Sequence, residues 1–267
     1  MPLSLYALGR NLFSRLDLWF VKALSGTPQV VGFYGAAQNL TFAVNILAQS
    51  LSPLLLSKLS QLSGGGQEAL AQTMSRQPIR LIFCVLPFAA MTAGTAKEIV
   101  VVIYGDAFIT ASPLLATLIF GALASTMIAV TTSMLIAAGR PGLPFALNGP
   151  LVPLALVGHL IFVPRFGAIG AAATTTVLAW ISASALMLAA CKIWRISLPV
   201  ATLLRSALIC VGAYALAALW PAPGFWLLLK LPVIGLVILI GFLLLGEFSA
   251  DEIAFIRSML RRRIKPG

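Results

Sequence analysis

Long apolar runs recur along almost the whole chain and constrain its fold more than any other feature. The hydrocarbon core of a bilayer is about 30 Å thick, so one crossing takes about 20 mostly apolar residues. The chain supplies such runs repeatedly, interrupted by Gly, Pro and basic residues. Only 9% of its residues are charged, whereas soluble domains have about 25%. The sequence therefore predicts an all-α polytopic membrane protein.

About eight membrane-spanning helices are predicted from these runs. Their approximate bounds are residues 3–24, 29–57, 79–103, 108–138, 143–163, 168–190, 199–219 and 226–246. A polar stretch containing Gly64, Gly65 and Gly66 separates the second span from the third. This glycine run lacks the Lys-Ser/Thr pair of a phosphate-binding loop, so it indicates a turn.

The basic residues predict how the chain lies in the membrane, because Lys and Arg favour short cytoplasmic loops. If the N-terminus is cytoplasmic, twelve basic residues lie at cytoplasmic ends and four lie opposite. Both termini are therefore predicted to be cytoplasmic, in a multi-pass protein of the cell inner membrane. The twelve are Lys58, Arg76, Arg80, Arg140, Lys192, Arg195, Arg205, Arg257, Arg261, Arg262, Arg263 and Lys265, and the four are Lys22, Lys97, Arg165 and Lys230.

The net charge of +11 indicates topology and lipid headgroup contact rather than nucleic-acid binding, because the basic residues flank apolar runs. Residues 248–267 are predicted to form a cytoplasmic amphipathic tail, with Ser249 as its helix cap. Its basic cluster would contact anionic lipids of the inner leaflet. The alternative is a simple stop signal after the last span. The cluster consists of Arg261, Arg262, Arg263 and Lys265.

Catalytic and metal-binding patterns are not evident in the sequence. Cys84, Cys191 and Cys210 fall in or beside apolar runs without paired spacing, and His159 stands alone in an apolar span. No Ser-His-Asp set or carboxylate pair fits one site. We therefore expect no enzyme activity, no metal and no cofactor, and a structural hydrogen bond for His159.

Polar side chains follow one face of the second predicted span. Gln38, Thr41, Asn45, Gln49 and Ser52 are spaced by 3, 4, 4 and 3 residues, which places them in one stripe on a helix. Amides that face lipid would remain unsatisfied. The stripe therefore either packs against neighbouring helices or lines a polar cavity.

Charged residues occur within the first predicted span, where Arg10, Ser14 and Asp17 share a face and Arg15 flanks them. A charge at the bilayer centre costs at least about 2.5–3.5 kcal/mol, so it normally faces a partner or a cavity. Two interpretations stay open. Either Arg10 or Arg15 pairs with Asp17, or the arginines form a cationic cavity wall that binds an anionic pyrophosphate through guanidinium forks.

Five motifs follow one another along the chain: SRLDLWFVKALSGTPQVVGFYGAAQNL, SLSPLLLSKLSQL, KEIVVVIYGDAFITASPLLATL, MLIAAGRP and PRFGAIGAAATTT. Their order and spacing resemble the C-terminal half of polysaccharide or oligosaccharide flippases, of the Wzx-like type in the MOP transporter superfamily. The resemblance covers about residues 4–246. Each motif is loose by itself, so their order carries the resemblance.

The resemblance implies two six-helix lobes plus two further helices, which export lipid-linked glycans across the inner membrane by alternating access. Residues 1–195 would be the second lobe and 196–247 the two further helices. The substrate would be a glycan on polyprenyl pyrophosphate, held in a central cavity. The residues expected to line that cavity are Arg10, Arg15, Asp17, Gln38, Asn45 and Gln49.

The first lobe of such a transporter has no counterpart in this sequence. The chain is expected to be a fragment, to have a misassigned start, or to assemble with a missing lobe or a second copy of itself. Two other functions stay open. A MATE-like organic cation exporter would use Asp17, and a non-transporting scaffold or inactive fragment could serve in a glycan assembly complex.

Overall fold

Helices form the whole of the described secondary structure. The computed structural model describes residues 16–24, 27–64, 68–222 and 224–247, and no strand occurs within these ranges. The all-α prediction is confirmed. The elements are α1 (Leu16–Leu24), α2 (Pro28–Gly64), α3 (Glu68–Gly94), α4 (Ala96–Tyr104), a 3₁₀ helix (Asp106–Ala111), α5 (Ser112–Ala137), α6 (Gly142–Asn148), α7 (Leu151–Trp194), α8 (Val200–Leu219) and α9 (Trp226–Leu244).

Five segments of the described chain are long and apolar enough to cross a membrane, which confirms a polytopic membrane protein. They correspond to six of the predicted spans, because the segment that contains α7 includes two of them. Helix α2 is not among the five, and its row of amide and hydroxyl side chains lowers its hydropathy. The five segments are Gln72–Gly94, Asp106–Ala137, Gly142–Trp194, Val200–Leu219 and Trp226–Leu244.

Helix α7 is a hairpin of two helical legs joined at one residue. Gly167 has φ 60° and ψ −143°, a conformation that only glycine adopts readily. A straight helix would separate residues 158 and 174 by about 24 Å. Instead, a Cβ atom added to Gly158 would lie 2.7 Å from Thr174 Cγ2. The legs therefore run side by side in opposite directions, as the two predicted spans 143–163 and 168–190 require.

Helix α5 forms the centre of the described helix bundle. In the segment that contains α5, 67% of the residues in the most apolar stretch are buried. The corresponding fraction is 11% for the segment that contains α7. Leu123, Met127 and Met134 of α5 are almost completely buried in a core shared with α2, α3 and α7. An apolar helix that is buried on most sides belongs inside the bundle, whereas much of α7 is left to face lipid.

Helices α8 and α9 dock on α3. Ala213 of α8 and Ile234 of α9 share a cluster with Phe88 of α3. Where α3 and α8 cross, a Cβ atom added to Gly94 would lie only 2.7 Å from Ala217 Cβ. The small residues at this crossing allow the two backbones to approach closely. Helices α8 and α9 therefore lie directly against α3.

Helix α9 is anchored near its start by a buried ion pair. Lys230 Nζ lies 2.6 Å from Glu98 Oε2, and the Lys230 side chain is completely buried. The backbone N–H of Ala222 donates a hydrogen bond of 2.9 Å to the other oxygen, Glu98 Oε1. One carboxylate at the start of α4 thus holds both α9 and the connection that precedes it.

A second carboxylate, Glu247, holds the other end of α9. Its side chain is 2% exposed, and its oxygens lie 2.8 Å from Arg80 Nε and 2.8 Å from Arg205 Nη1. Thr202 Oγ1 donates a further hydrogen bond of 2.6 Å. Arg80 belongs to α3, and the other two partners belong to α8. The chain end of α9 is therefore fixed to both helices.

The Glu247 anchor should make stability depend on acid pH. Burial raises the pKa of the Glu247 carboxyl, but hydrogen bonds from Thr202, Arg205 and Arg80 outweigh burial and hold the pKa below its ordinary value. The charged anchor therefore stabilises the fold above the unfolded-state pKa of about 4.3 and loses this contribution as the pH falls through the lowered folded-state pKa. We expect Glu247→Gln to unfold at lower temperature than the native protein at pH 7, with the gap closing toward pH 3.

Thermal unfolding in detergent from pH 7 to pH 3 measures this gap. Asp106→Asn is the control, because Asp106 is an exposed carboxylate on the 3₁₀ helix. The unfolding temperature of Asp106→Asn should differ little from that of the native protein at pH 7. A gap for Glu247→Gln that stays constant across the whole range would contradict the prediction.

Candidate functional site

The Asp17 carboxylate of α1 is buried against α2. Asp17 is 6% exposed and accepts hydrogen bonds from Tyr34 Oη at 2.7 Å and Gln38 Nε2 at 3.3 Å. The backbone N–H of Leu18 donates to it at 2.8 Å. Tyr34 and Gln38 are one helical turn apart, so both side chains reach the same carboxylate.

His159, on the first leg of α7, packs on Phe20 of α1, three residues after Asp17. Its ring stacks on Phe20 with centroids 5.3 Å apart and an interplanar angle of 16°, and it interacts electrostatically with Asp17. His159 Nδ1 is buried without a hydrogen-bond partner among the described residues. The structural hydrogen bond expected for His159 is therefore not seen at this nitrogen, and the ring is held by stacking.

We call Asp17, Tyr34, Gln38 and His159 the Asp17 node. The node joins α1, α2 and α7, and it buries a carboxylate with neutral donors rather than with a salt bridge. Within the described ranges, no Lys, Arg or His side chain forms an ion pair with Asp17. A buried carboxylate is costly unless hydrogen bonds satisfy it, and three donors do so here. Chemically, the node could hold a proton or a cation, or simply fix three helices together.

The amide stripe of α2 has several environments. Gln38 bonds to Asp17, and Thr41 Oγ1 donates to the Gln38 carbonyl at 2.8 Å. Asn45 is half-buried, while the side chain of Gln49 lies outside the described residues. Ser52 Oγ is buried without a partner in the described part of the chain. The first turns of the stripe therefore pack within the helix bundle.

Arg10 and Arg15, expected in the cavity wall, also lie outside the described residues. The choice between a pairing with Asp17 and a cationic wall therefore stays open. The structure brings Asp17 and Gln38 together and places Asn45 two turns further along α2. A substrate-binding role for Arg10, Arg15, Asp17, Gln38, Asn45 and Gln49 stays a prediction.

Tyr34 and His159 are the members of the node that the sequence patterns did not single out. Tyr34 precedes Gln38 by four residues, so it extends the amide stripe by one turn and could have been included. His159 gives no such signal, because only the packing of the α7 hairpin brings it to α1. In the described ranges, no group of three or more His, Cys, Asp or Glu side chains could hold a metal ion.

Two comparisons with known proteins bear on this site. Residues 2–113 match the family described as "Polysaccharide biosynthesis protein". The chain is also 24% identical over 168 residues to an uncharacterized membrane protein of Methanocaldococcus jannaschii. That alignment covers 62% of this chain but only 33% of the relative, so the chain spans about a third of the relative's length. The resemblance to polysaccharide biosynthesis proteins is thus confirmed over residues 2–113, a range that includes Asp17, Tyr34 and Gln38.

Proposed function

We propose that the protein is a membrane flippase that moves lipid-linked oligosaccharide or polysaccharide intermediates across the inner membrane. The observation that carries this proposal is the match of residues 2–113 to polysaccharide biosynthesis proteins, within a membrane chain whose first helices bury a polar node. We propose no catalytic step. The substrate would be a glycan on polyprenyl pyrophosphate, whose anionic group suits Arg10 and Arg15.

In this proposal, residues 1–195 form one transporter lobe and residues 196–247 add two helices. The lobe works by alternating access with another lobe or a second copy, related by an axis along the membrane normal. Both termini are cytoplasmic, and the basic tail 248–267 contacts anionic lipid. The Asp17 node ties α1 to α2 and α7, so that residues facing the cavity move as one unit.

A second candidate is a MATE-like exporter of organic cations. The observation that favours it is the buried Asp17 carboxylate, which has no cationic partner among the described residues. An organic cation could supply that missing charge, with Phe20 and His159 as aromatic neighbours. The two transporter hypotheses therefore differ in the sign of the preferred substrate.

Reconstitution of the chain in liposomes tests the proposal. We expect it to translocate a fluorescent polyprenyl-pyrophosphate oligosaccharide and not a fluorescent organic cation. The double variant Arg10→Ala/Arg15→Ala should abolish most of this flux, whereas the matched control Arg140→Ala/Arg165→Ala removes the same charge from exposed positions and should retain it. Flux of the cation alone would favour the exporter. A well-folded chain that moves neither probe would show that this lobe does not transport alone, as the scaffold alternative and a requirement for another lobe both predict.

A further inference from the structure

A groove lies where α3 meets the connection between α7 and α8. It has a volume of about 260 Å³ and is lined by Arg76, Gln77, Ile79, Arg80, Ile196, Ser197 and Pro199. The polar lining side chains are two guanidinium groups, an amide and a hydroxyl. Buried Ile79 and Ile196 form its apolar lining. The groove thus combines a cationic mouth with an apolar interior.

Hydrogen bonds hold this groove in shape. Arg76 Nη2 donates to Ser197 Oγ at 2.6 Å, and Gln72 Nε2 donates to the carbonyl of Arg195 at 2.8 Å. Arg195 itself has φ 51° and ends α7 in the left-handed conformation. The connection between α7 and α8 is therefore fixed to α3 on both sides of the turn.

The groove lies at the end of two membrane spans. The first span begins at Gln72, so Arg76 lies about 6 Å inside it. The second span begins at Val200, directly after Ser197 and Pro199. A segment that crosses the membrane ends near the boundary between the hydrocarbon core and the headgroups, so we expect the groove to lie close to that boundary.

Charge and surroundings both suit a lipid. Three arginines, Arg76, Arg80 and Arg205, lie on α3 and α8 near the groove. The Glu247 carboxylate pairs with Arg80 and Arg205, whereas Arg76 donates to the neutral hydroxyl of Ser197. Exposed apolar side chains continue on the same helices away from the groove. They are Leu81 of α3 and Val200, Leu203 and Leu204 of α8.

We propose that this groove binds the phosphate headgroup of an anionic phospholipid, with Arg76 as its principal ligand and the acyl chains against the exposed leucines of α3 and α8. Arginine binds phosphate with two parallel hydrogen bonds, and basic pockets between membrane helices bind anionic headgroups. A free phosphate would use the same guanidinium but would gain nothing from the apolar surface. The site is separate from the Asp17 node and does not depend on the proposed transport activity.

Thermal unfolding of the detergent-solubilised chain with added lipid tests the proposal. The probes are dioleoylphosphatidylglycerol, dioleoylphosphatidylcholine and soluble glycerol 3-phosphate. We expect phosphatidylglycerol alone to raise the unfolding temperature. Arg76→Gln should raise the lipid concentration for half-maximal stabilisation about tenfold, because a charge-assisted hydrogen bond to phosphate is lost.

Arg140→Gln is the matched control, since it removes an equal charge from an exposed position outside the groove. Its response to phosphatidylglycerol should equal that of the native protein. Equal losses in Arg76→Gln and Arg140→Gln would overturn the proposal in favour of diffuse surface attraction. Equal stabilisation by glycerol 3-phosphate would overturn it in favour of a soluble anion, and stabilisation by phosphatidylcholine would overturn the headgroup assignment.

Discussion

Replacing Glu98 with glutamine should destabilise the protein severely. Lys230 is completely buried, and its ammonium lies 2.6 Å from Glu98 Oε2. Glutamine keeps the acceptor for the Ala222 N–H but removes the opposing charge, so a buried cation is left uncompensated. Removal of one partner from a buried pair costs about 3–5 kcal/mol. Unfolding in detergent with increasing denaturant measures the loss.

A double-variant cycle separates the charge effect from loss of packing. Lys230→Met removes the buried cation and fills similar volume. It should cost less than Glu98→Gln, because the charge that it leaves unpaired, Glu98, is 18% exposed, whereas Lys230 is completely buried. The double variant Glu98→Gln/Lys230→Met should recover much of the stability lost by Glu98→Gln alone, since an apolar replacement of a buried pair is often neutral. If the double variant were as unstable as the sum of the single ones, the pair would not be energetically coupled.

Replacing Asp17 with leucine should give the second large loss of stability. The Tyr34 hydroxyl is completely buried, and Asp17 is its acceptor. Leucine would leave this hydroxyl and the Gln38 amide without that acceptor, and each unsatisfied buried donor costs about 1–3 kcal/mol. Asp17→Asn keeps an oxygen in nearly the same place, so it should be clearly milder. Denaturant unfolding in detergent measures both variants.

The same pair of variants reports on function. If the charge of Asp17 matters for transport, Asp17→Asn should lose most flux in liposomes while retaining most stability. Asp106→Asn is the control, because it removes a carboxylate from an exposed position. Full flux in Asp17→Asn together with a large stability loss in Asp17→Leu would assign the node a purely architectural role.

Six of the eight predicted spans correspond to apolar segments of the described structure. They could be predicted from the sequence because hydropathy is a local property. Even the α7 hairpin was predicted as two spans, since the PRFGAIG segment interrupts the apolar run at Gly167. The buried pairs were not predicted. Glu98 and Lys230 are 132 residues apart, and no local spacing connects two charges that meet only when α9 packs on the other helices.

The candidate site was predictable in part. Periodicity placed Gln38 on a polar face and Asp17 among costly membrane charges. Periodicity does not state which neighbour satisfies an amide, because that depends on how α1 and α2 pack. The structure supplies one such partner by joining Gln38 to Asp17. The role of the remaining stripe residues depends on which neighbouring helices they contact, and the pattern of one helix does not specify those contacts.

The corner of α7 at Gly167 has a mechanical consequence. A single residue joins the two legs, so no flexible loop separates them. Contacts such as that between Gly158 and Thr174 hold the legs in register. Neither leg can slide along the membrane normal without drawing the other with it. A displacement of His159 along the membrane normal should therefore also move Thr174 on the second leg. In this direction the hairpin is expected to move as one unit rather than as two independent helices.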